Sequence, residues 1–152
     1  MRNPALSFSA ASVEDAEALV ALRIEAMRES LERIGRFDPV RARERFLNGF
    51  EPSLTRHIVL GGERVGFVVV KSLDDHLLLD HLYVLPAFQG RGIGALVLRQ
   101  VCAEAATKRL PIRVGALHES ASNRFYLRHG FVKVAEEEFD IYYLRDWQLP
   151  FA

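Results

Sequence analysis

Gln89-Gly90-Arg91-Gly92-Ile93-Gly94-Ala95 sets three glycines at alternate positions between an apolar run ending at Leu85 and a stretch of helical periodicity. Glycine adopts φ > 0 freely and lets a backbone approach an anion. The first N–H groups of a helix lack internal partners, and the helix dipole favours negative charge there. The stretch therefore predicts a diphosphate cradle, to which Arg91 adds a charge-assisted hydrogen bond of about 1.5–3 kcal/mol. Two other phosphate loops compete. A Walker A loop is excluded because no Gly-Lys-Ser/Thr follows. Gly90, Gly92 and Ala95 do fit the relaxed dinucleotide pattern G-x-G-x-x-A, but that loop follows its strand directly and leads to an acidic residue about 20 positions on. Here Pro86-Ala87-Phe88-Gln89 intervenes, and residues 109–115 read Arg-Leu-Pro-Ile-Arg-Val-Gly. An NAD(P)-binding protein is thus the lesser alternative.

Working outward, His76 to Leu85 carries apolar residues on both faces, as a central strand does, and Pro86 stops it. From Ile93 to Arg109, Gly94, Val97, Leu98, Val101 and Ala105 share a helical face. Pro111 opens a strand at Ile112–His118, and the helix between the two strands makes them parallel neighbours. A short helix over about Ala121–His129 follows, with Ser120 or Ser122 as N-cap and Gly130 after its end. Phe131–Trp147, rich in β-branched and aromatic residues, predicts two more strands.

Towards the N-terminus, Thr55–Leu60 and Arg64–Leu73 flank Gly61-Gly62-Glu63 and predict a hairpin. Residues 5–10 form a first strand, and Ser12 with Asp15 signals a capping box. Ala16, Val20, Ile24, Met27 and Leu31 make one helical stripe ending near Gly35, and Asp38-Pro39 starts a second helix running to about Gly49. The expected fold is a single α/β domain over 1–152, with a mixed, mostly antiparallel sheet of about seven strands and four helices in the order β-α-α-β-β-β-α-β-α-β-β.

Composition narrows the function. The 20 basic residues balance 20 acidic ones, so no excess positive field holds nucleic acid or an anionic membrane, and an anionic ligand must be bound locally. Cys102 is the only cysteine, which excludes an intrachain disulfide and suits a reducing compartment. No apolar leader and no run of about 18 apolar residues occurs. The expectation is a cytoplasmic protein. The five histidines show no metal-ligand spacing, so no metal is expected.

Gln89-Gly90-Arg91-Gly92-Ile93-Gly94-Ala95 resembles the signature Q/R-x-x-G-x-G/A of the GNAT superfamily of N-acetyltransferases. Val84-Leu85-Pro86 resembles its strand-ending V-x-P, and Phe125-Tyr126 with Gly130-Phe131 its F-Y-x-x-x-G-F. The motifs cover about residues 77–131, and the element order covers the whole chain. The resemblance implies acetyl-CoA as co-substrate, lying where the parallel strands splay. Its pantetheine would meet the backbone of Leu82, Tyr83 and Val84, and its pyrophosphate Gln89, Gly90, Arg91, Gly92, Ile93, Gly94 and Ala95. It also implies direct transfer to a primary amine of a small molecule or peptide, with no acyl-enzyme. Tyr126 matches the tyrosine that protonates the leaving thiolate, and Asn123, on the first turn of the same helix, is a candidate to hydrogen-bond the cofactor near its sulfur, with a helix-start residue as the equal alternative. A homodimer is among the expectations, with Phe139–Trp147 as a candidate apolar edge, a stretch that a buried strand would match equally well. A non-catalytic acyl-CoA-binding module on the same fold is the alternative.

The proton acceptor is less determined. Asp80 and His81 are polar residues within an apolar strand, and alternation puts them on opposite faces, so only one can serve a given site. Asp80 is the first candidate, with His81, His118 and a water relay beside it. Six arginines and four acids crowd Arg28–Arg45, where a solvated helix surface and an acidic acceptor's site are both open. Cys102, among apolar neighbours, is expected to pack.

Overall fold

The turn signals of the sequence become the corners of the structure, a computed structural model that describes residues 5–151. The elements run β1 (Leu6–Ala10), α1 (Ala16–Arg33), α2 (Pro39–Gly49), β2 (Thr55–Leu60), β3 (Glu63–Ser72), β4 (Leu77–Val84), α3 (Ile93–Lys108), β5 (Ile112–Leu117), α4 (Ser122–Arg128), β6 (Val132–Glu136) and β7 (Asp140–Arg145). The strands form one mixed sheet in the order β1-β2-β3-β4-β5-β7-β6, so the α/β class and element order are those the sequence predicts. Two compact units share the chain: the residues through Val69 with His81–Val97, and Val70–Asp80 with the residues from Leu98 onward.

In the first unit, the Asp15 carboxylate accepts from the Ser12 N–H at 2.8 Å. This closes the predicted box over a single 3-10 turn that leads into α1. Asp38 caps α2 by accepting from the Arg41 N–H at 3.1 Å, with Pro39 in the first helical turn. The two helices bury Leu19, Val20 and Phe46 against Phe67 and Val69 of β3. Between β2 and β3 the loop is two residues long, Gly61 and Gly62 at φ 57° and 83°. That left-handed pair makes the hairpin turn whose twist matches the strands, and Glu63 already belongs to β3.

In the second unit, β4 and β5 pair in parallel over Leu77–Leu79 and Ile112–Val114, as expected of two strands joined by a helical crossover. Ile112, Val114 and Ala116 are buried while Arg113 and Gly115 are exposed, the alternation of a strand with one core face. Leu98, Val101, Cys102 and Ala105 form the buried face of α3 in this unit.

Two expectations are corrected. Neither Ser120 nor Ser122 caps α4. The N-cap is Ala121, without a side-chain bond, because the Ser120 hydroxyl donates back to the Leu117 carbonyl at 2.9 Å, the local competition that serine offers any helix start. Phe139–Trp147 is not an edge either. Its strand, β7, lies between β5 and β6, and β6, exposed along its whole length, is the outer strand. Among the described residues no helix is long and apolar enough to cross a membrane, and no group of three or more metal-ligating side chains gathers.

Candidate active site

Past Leu85, a 3-10 turn at Pro86–Phe88 carries the chain into the glycine loop. The Gln89 side-chain amide donates back to the Val84 carbonyl at 2.9 Å, tying the loop to the end of β4. Gly90 and Gly92 take φ 77° and 78°, conformations that L-residues with a Cβ rarely adopt. An added Cβ would meet nothing within 4 Å at either, so backbone torsion alone selects glycine, and the space in front of both is open. Helical bonding begins with the Leu96 N–H donating to the Gly92 carbonyl at 3.1 Å. The N–H groups of Ile93, Gly94 and Ala95 therefore precede the first intrahelical bond and are the ones a bound anion can use. Arg91 is exposed, its guanidinium 5.2 Å from the centre of the Phe88 ring. Two left-handed glycines, three leading N–H groups and an exposed cation fit a pyrophosphate.

The strand before this loop carries the other predicted contacts, Leu82, Tyr83 and Val84, each half-buried. Gly66 of β3 passes directly beneath: a Cβ there would stand 2.2 Å from the Tyr83 carbonyl oxygen. The Leu85 N–H donates to the Val65 carbonyl at 2.8 Å, so β3 fixes the height of β4 at the point where it meets the loop.

Asp80 and His81 separate as alternation requires. Asp80, in the second unit, is exposed and its carboxylate lies 3.5 Å from the Lys71 ammonium on β3. His81 belongs to the first unit and packs among aromatic rings, 5.8 Å from Phe46, 6.0 Å from Phe67 and 5.6 Å from Tyr83 between centroids. Its Nδ1 is 3.5 Å from the Tyr83 hydroxyl. Tyr83 in turn lies under the guanidinium of Arg23, 5.9 Å from the ring centre. The sequence reading did not single out Arg23. Its spacing to Val20, Ile24 and Met27 places it on the apolar stripe of α1, and a cation on an apolar stripe is the signal that would have found it.

In the second unit, Tyr126 is 5% exposed and packs on Phe125, Phe131 and Tyr143. Asn123 is fully engaged: its amide nitrogen donates to the Leu117 carbonyl at 2.7 Å and the Ser120 carbonyl at 3.0 Å, and its oxygen accepts from the Tyr143 hydroxyl at 2.7 Å. It sets α4 against the ends of β5 and β7, and so holds the helix that carries Tyr126. His118 likewise ties strands together, 3.0 Å from the Glu137 carbonyl and 3.2 Å from the Glu136 carboxylate. Cys102 is buried, and burial pushes its thiol above the usual range, the state of a packing residue. The crowded arginines of the early helices pair on the surface: Arg28 with Glu32, Arg33 with Glu29 and Arg43 with Glu17.

Residues 53–133, more than half of the chain, match the family model described as acetyltransferase (GNAT) domain. No curated protein matches the chain in sequence. Among solved structures the fold is similar to that of PaiA N-acetyltransferase from Thermoplasma acidophilum in complex with coenzyme A. The two share 18% identity over 93% of this chain and 99% of that one, with a TM-score of 0.76. An acetyltransferase from Thermus thermophilus aligns at 18% identity over 96% and 99%, TM-score 0.73. The ribosomal-protein-S18-alanine N-acetyltransferase from Escherichia coli aligns at 16% over 96% of each chain, TM-score 0.68. At such identities the likeness is one of fold.

Proposed function

We propose that this chain, which belongs to the GNAT acetyltransferase family, moves an acetyl group from acetyl-CoA directly to a primary amine of a small molecule or peptide. The observation that carries the proposal is the glycine loop: Gly90 and Gly92 in left-handed conformation, opening onto the unpaired N–H groups of α3. These groups and Arg91 hold the pyrophosphate, and the backbone of Leu82, Tyr83 and Val84 holds the pantetheine arm as an added strand.

Bound acetyl-CoA supplies a thioester whose carbonyl carbon an amine can attack. A backbone N–H of Leu82 or Val84 donates to the carbonyl oxygen as negative charge builds on it. The Tyr126 hydroxyl gives its proton to the departing thiolate, whose basicity (pKa about 8.5) is near enough to that of a phenol (about 10) for the transfer to help. For the proton leaving the amine we assign His81 rather than Asp80. His81 shares its face of β4 with Tyr83 and offers a ring nitrogen as proton acceptor, whereas Asp80 is held by Lys71. In balance, the amine nitrogen gains the acetyl carbon and loses a proton, and the sulfur loses the acetyl group and gains one.

Incubation with acetyl-CoA and a panel of primary amines, followed by thiol release and mass analysis of the amine, tests the reading. Acetylated amine in step with free thiol supports it. Tight acetyl-CoA binding with no amine acetylated would instead favour the non-catalytic acyl-CoA binder.

A further inference from the structure

We infer that the acceptor amine carries a carboxylate and that Arg23 is the residue that grips it; the inference rests on the transferase function proposed above. Arg23 lies on the inward stripe of α1, and its guanidinium sits over Tyr83, whose ring packs on His81, itself against Phe46 and Phe67. Aromatic walls attract a cation but do not neutralise it. Three other arginines of the two early helices each pair with a glutamate, while among the described residues Arg23 has as hydrogen-bond acceptor only the Ala42 carbonyl, to which Nη1 donates at 3.2 Å. Its Nε is buried and has no hydrogen-bond partner among the described residues.

A buried donor without an acceptor is costly, so the Nε of this half-buried side chain calls for an explanation. A tie between α1 and α2 explains Nη1 and leaves Nε unexplained. The two nitrogens lie on different edges of the planar fork. Nη1 points away from the Nε–H, so the bond to Ala42 leaves intact the Nε–Nη2 edge, whose two parallel N–H groups match the two oxygens of a carboxylate. The same cluster contains His81, so a substrate whose carboxylate rests on Arg23 carries its amine beside the proposed base, as an amino acid does. A polyamine offers the guanidinium only like charge, and a neutral alkylamine leaves the Nε–H without an acceptor.

The test compares each free amino acid with its carboxamide, and both with putrescine, as acetyl acceptors for the wild-type protein and for Arg23→Gln and Arg23→Lys. The expected result is acetylation of at least one amino acid with a kcat/KM about 10–100-fold above that of its carboxamide, the span of one charge-assisted pair. Arg23→Gln collapses that preference through KM, and Arg23→Lys, which keeps charge but not the fork, restores part of it. Stabilisation by coenzyme A, measured on each variant, shows that the fold and donor site are intact. Equal rates for acid and carboxamide, preference for putrescine, or a preference that survives Arg23→Gln would overturn the inference. If no amine is acetylated, the transferase reading fails by itself and Arg23 is judged by binding. N-acetylated amino acids must then stabilise the coenzyme A-loaded wild type but not Arg23→Gln, and a lack of stabilisation in the wild type sinks the inference.

Discussion

Asp15 joins three segments that are far apart in the chain. Its carboxylate accepts from the Ser12 N–H, lies 3.0 Å from Nε2 of the buried His57 and 3.1 Å from the Arg64 guanidinium. The His57 bond first, then those from Ser12 and Arg64, hold the Asp15 carboxyl far below the usual carboxylate range. A depressed pKa in the folded state contributes stability above the unfolded value, near pH 3.9 for Asp, and loses it as pH falls from there through the folded value. We expect Asp15→Asn to be less stable than wild type at pH 7 and to lose less on acidification below about pH 4, by denaturant midpoints across that range. A wild-type midpoint no more pH-sensitive than the variant's would show the cluster to be energetically idle. Two substitutions probe the site. Arg91→Glu should weaken acetyl-CoA binding by about 10-fold or more by calorimetry, and unchanged affinity would remove Arg91 from the cradle. Tyr126→Phe should lower kcat roughly 10- to 100-fold with acetyl-CoA affinity nearly intact, and an unaltered kcat at saturation would take Tyr126 out of the mechanism.

Among the elements, β3 and β4 meet most closely where glycine permits it. The β2–β3 register skips Val65, pairing Ile58 with Gly66 and Val59 with Arg64, and the irregularity delivers Gly66 beneath the Tyr83 carbonyl. Because the obstructing atom is backbone at 2.2 Å, no side-chain rotation relieves a substitution. Gly66→Ala should cost at least about 3 kcal/mol in denaturant unfolding, and a loss under about 1 kcal/mol would mean that the strands separate easily. Where local chemistry decides an element, the sequence showed it: the Ser12–Asp15 box, Asp38-Pro39 and Gly61-Gly62 each act through neighbours within three residues. The cap of α4 was misjudged because Ser120 had a competing acceptor in Leu117, and Phe139–Trp147 was taken for an edge because strand order depends on partners far away in sequence. An apolar strand looks alike in the middle of a sheet and at a sticky rim.

At the scale of the whole molecule, a chain with no net charge has to bind an anion through local groups, the part proposed above for the glycine loop and for Arg23. The loop was legible because glycine spacing records a backbone requirement directly. The separation of Asp80 from His81 was legible from alternation alone. Arg23 was hidden because its significance lies in Tyr83 and the Ala42 carbonyl, a pair that only the folding of α1 and α2 onto β4 brings together. The central claim, that this fold is built around coenzyme A, is tested most directly by thermal unfolding with acetyl-CoA, coenzyme A, NAD and NADP. Ligand at about 100 times its dissociation constant adds ~2.7 kcal/mol, a rise of roughly 5–10 °C for a domain of this size. The account predicts that rise with acetyl-CoA and with coenzyme A and none with either dinucleotide. A rise with NAD or NADP alone, or with no ligand of the four, would contradict it.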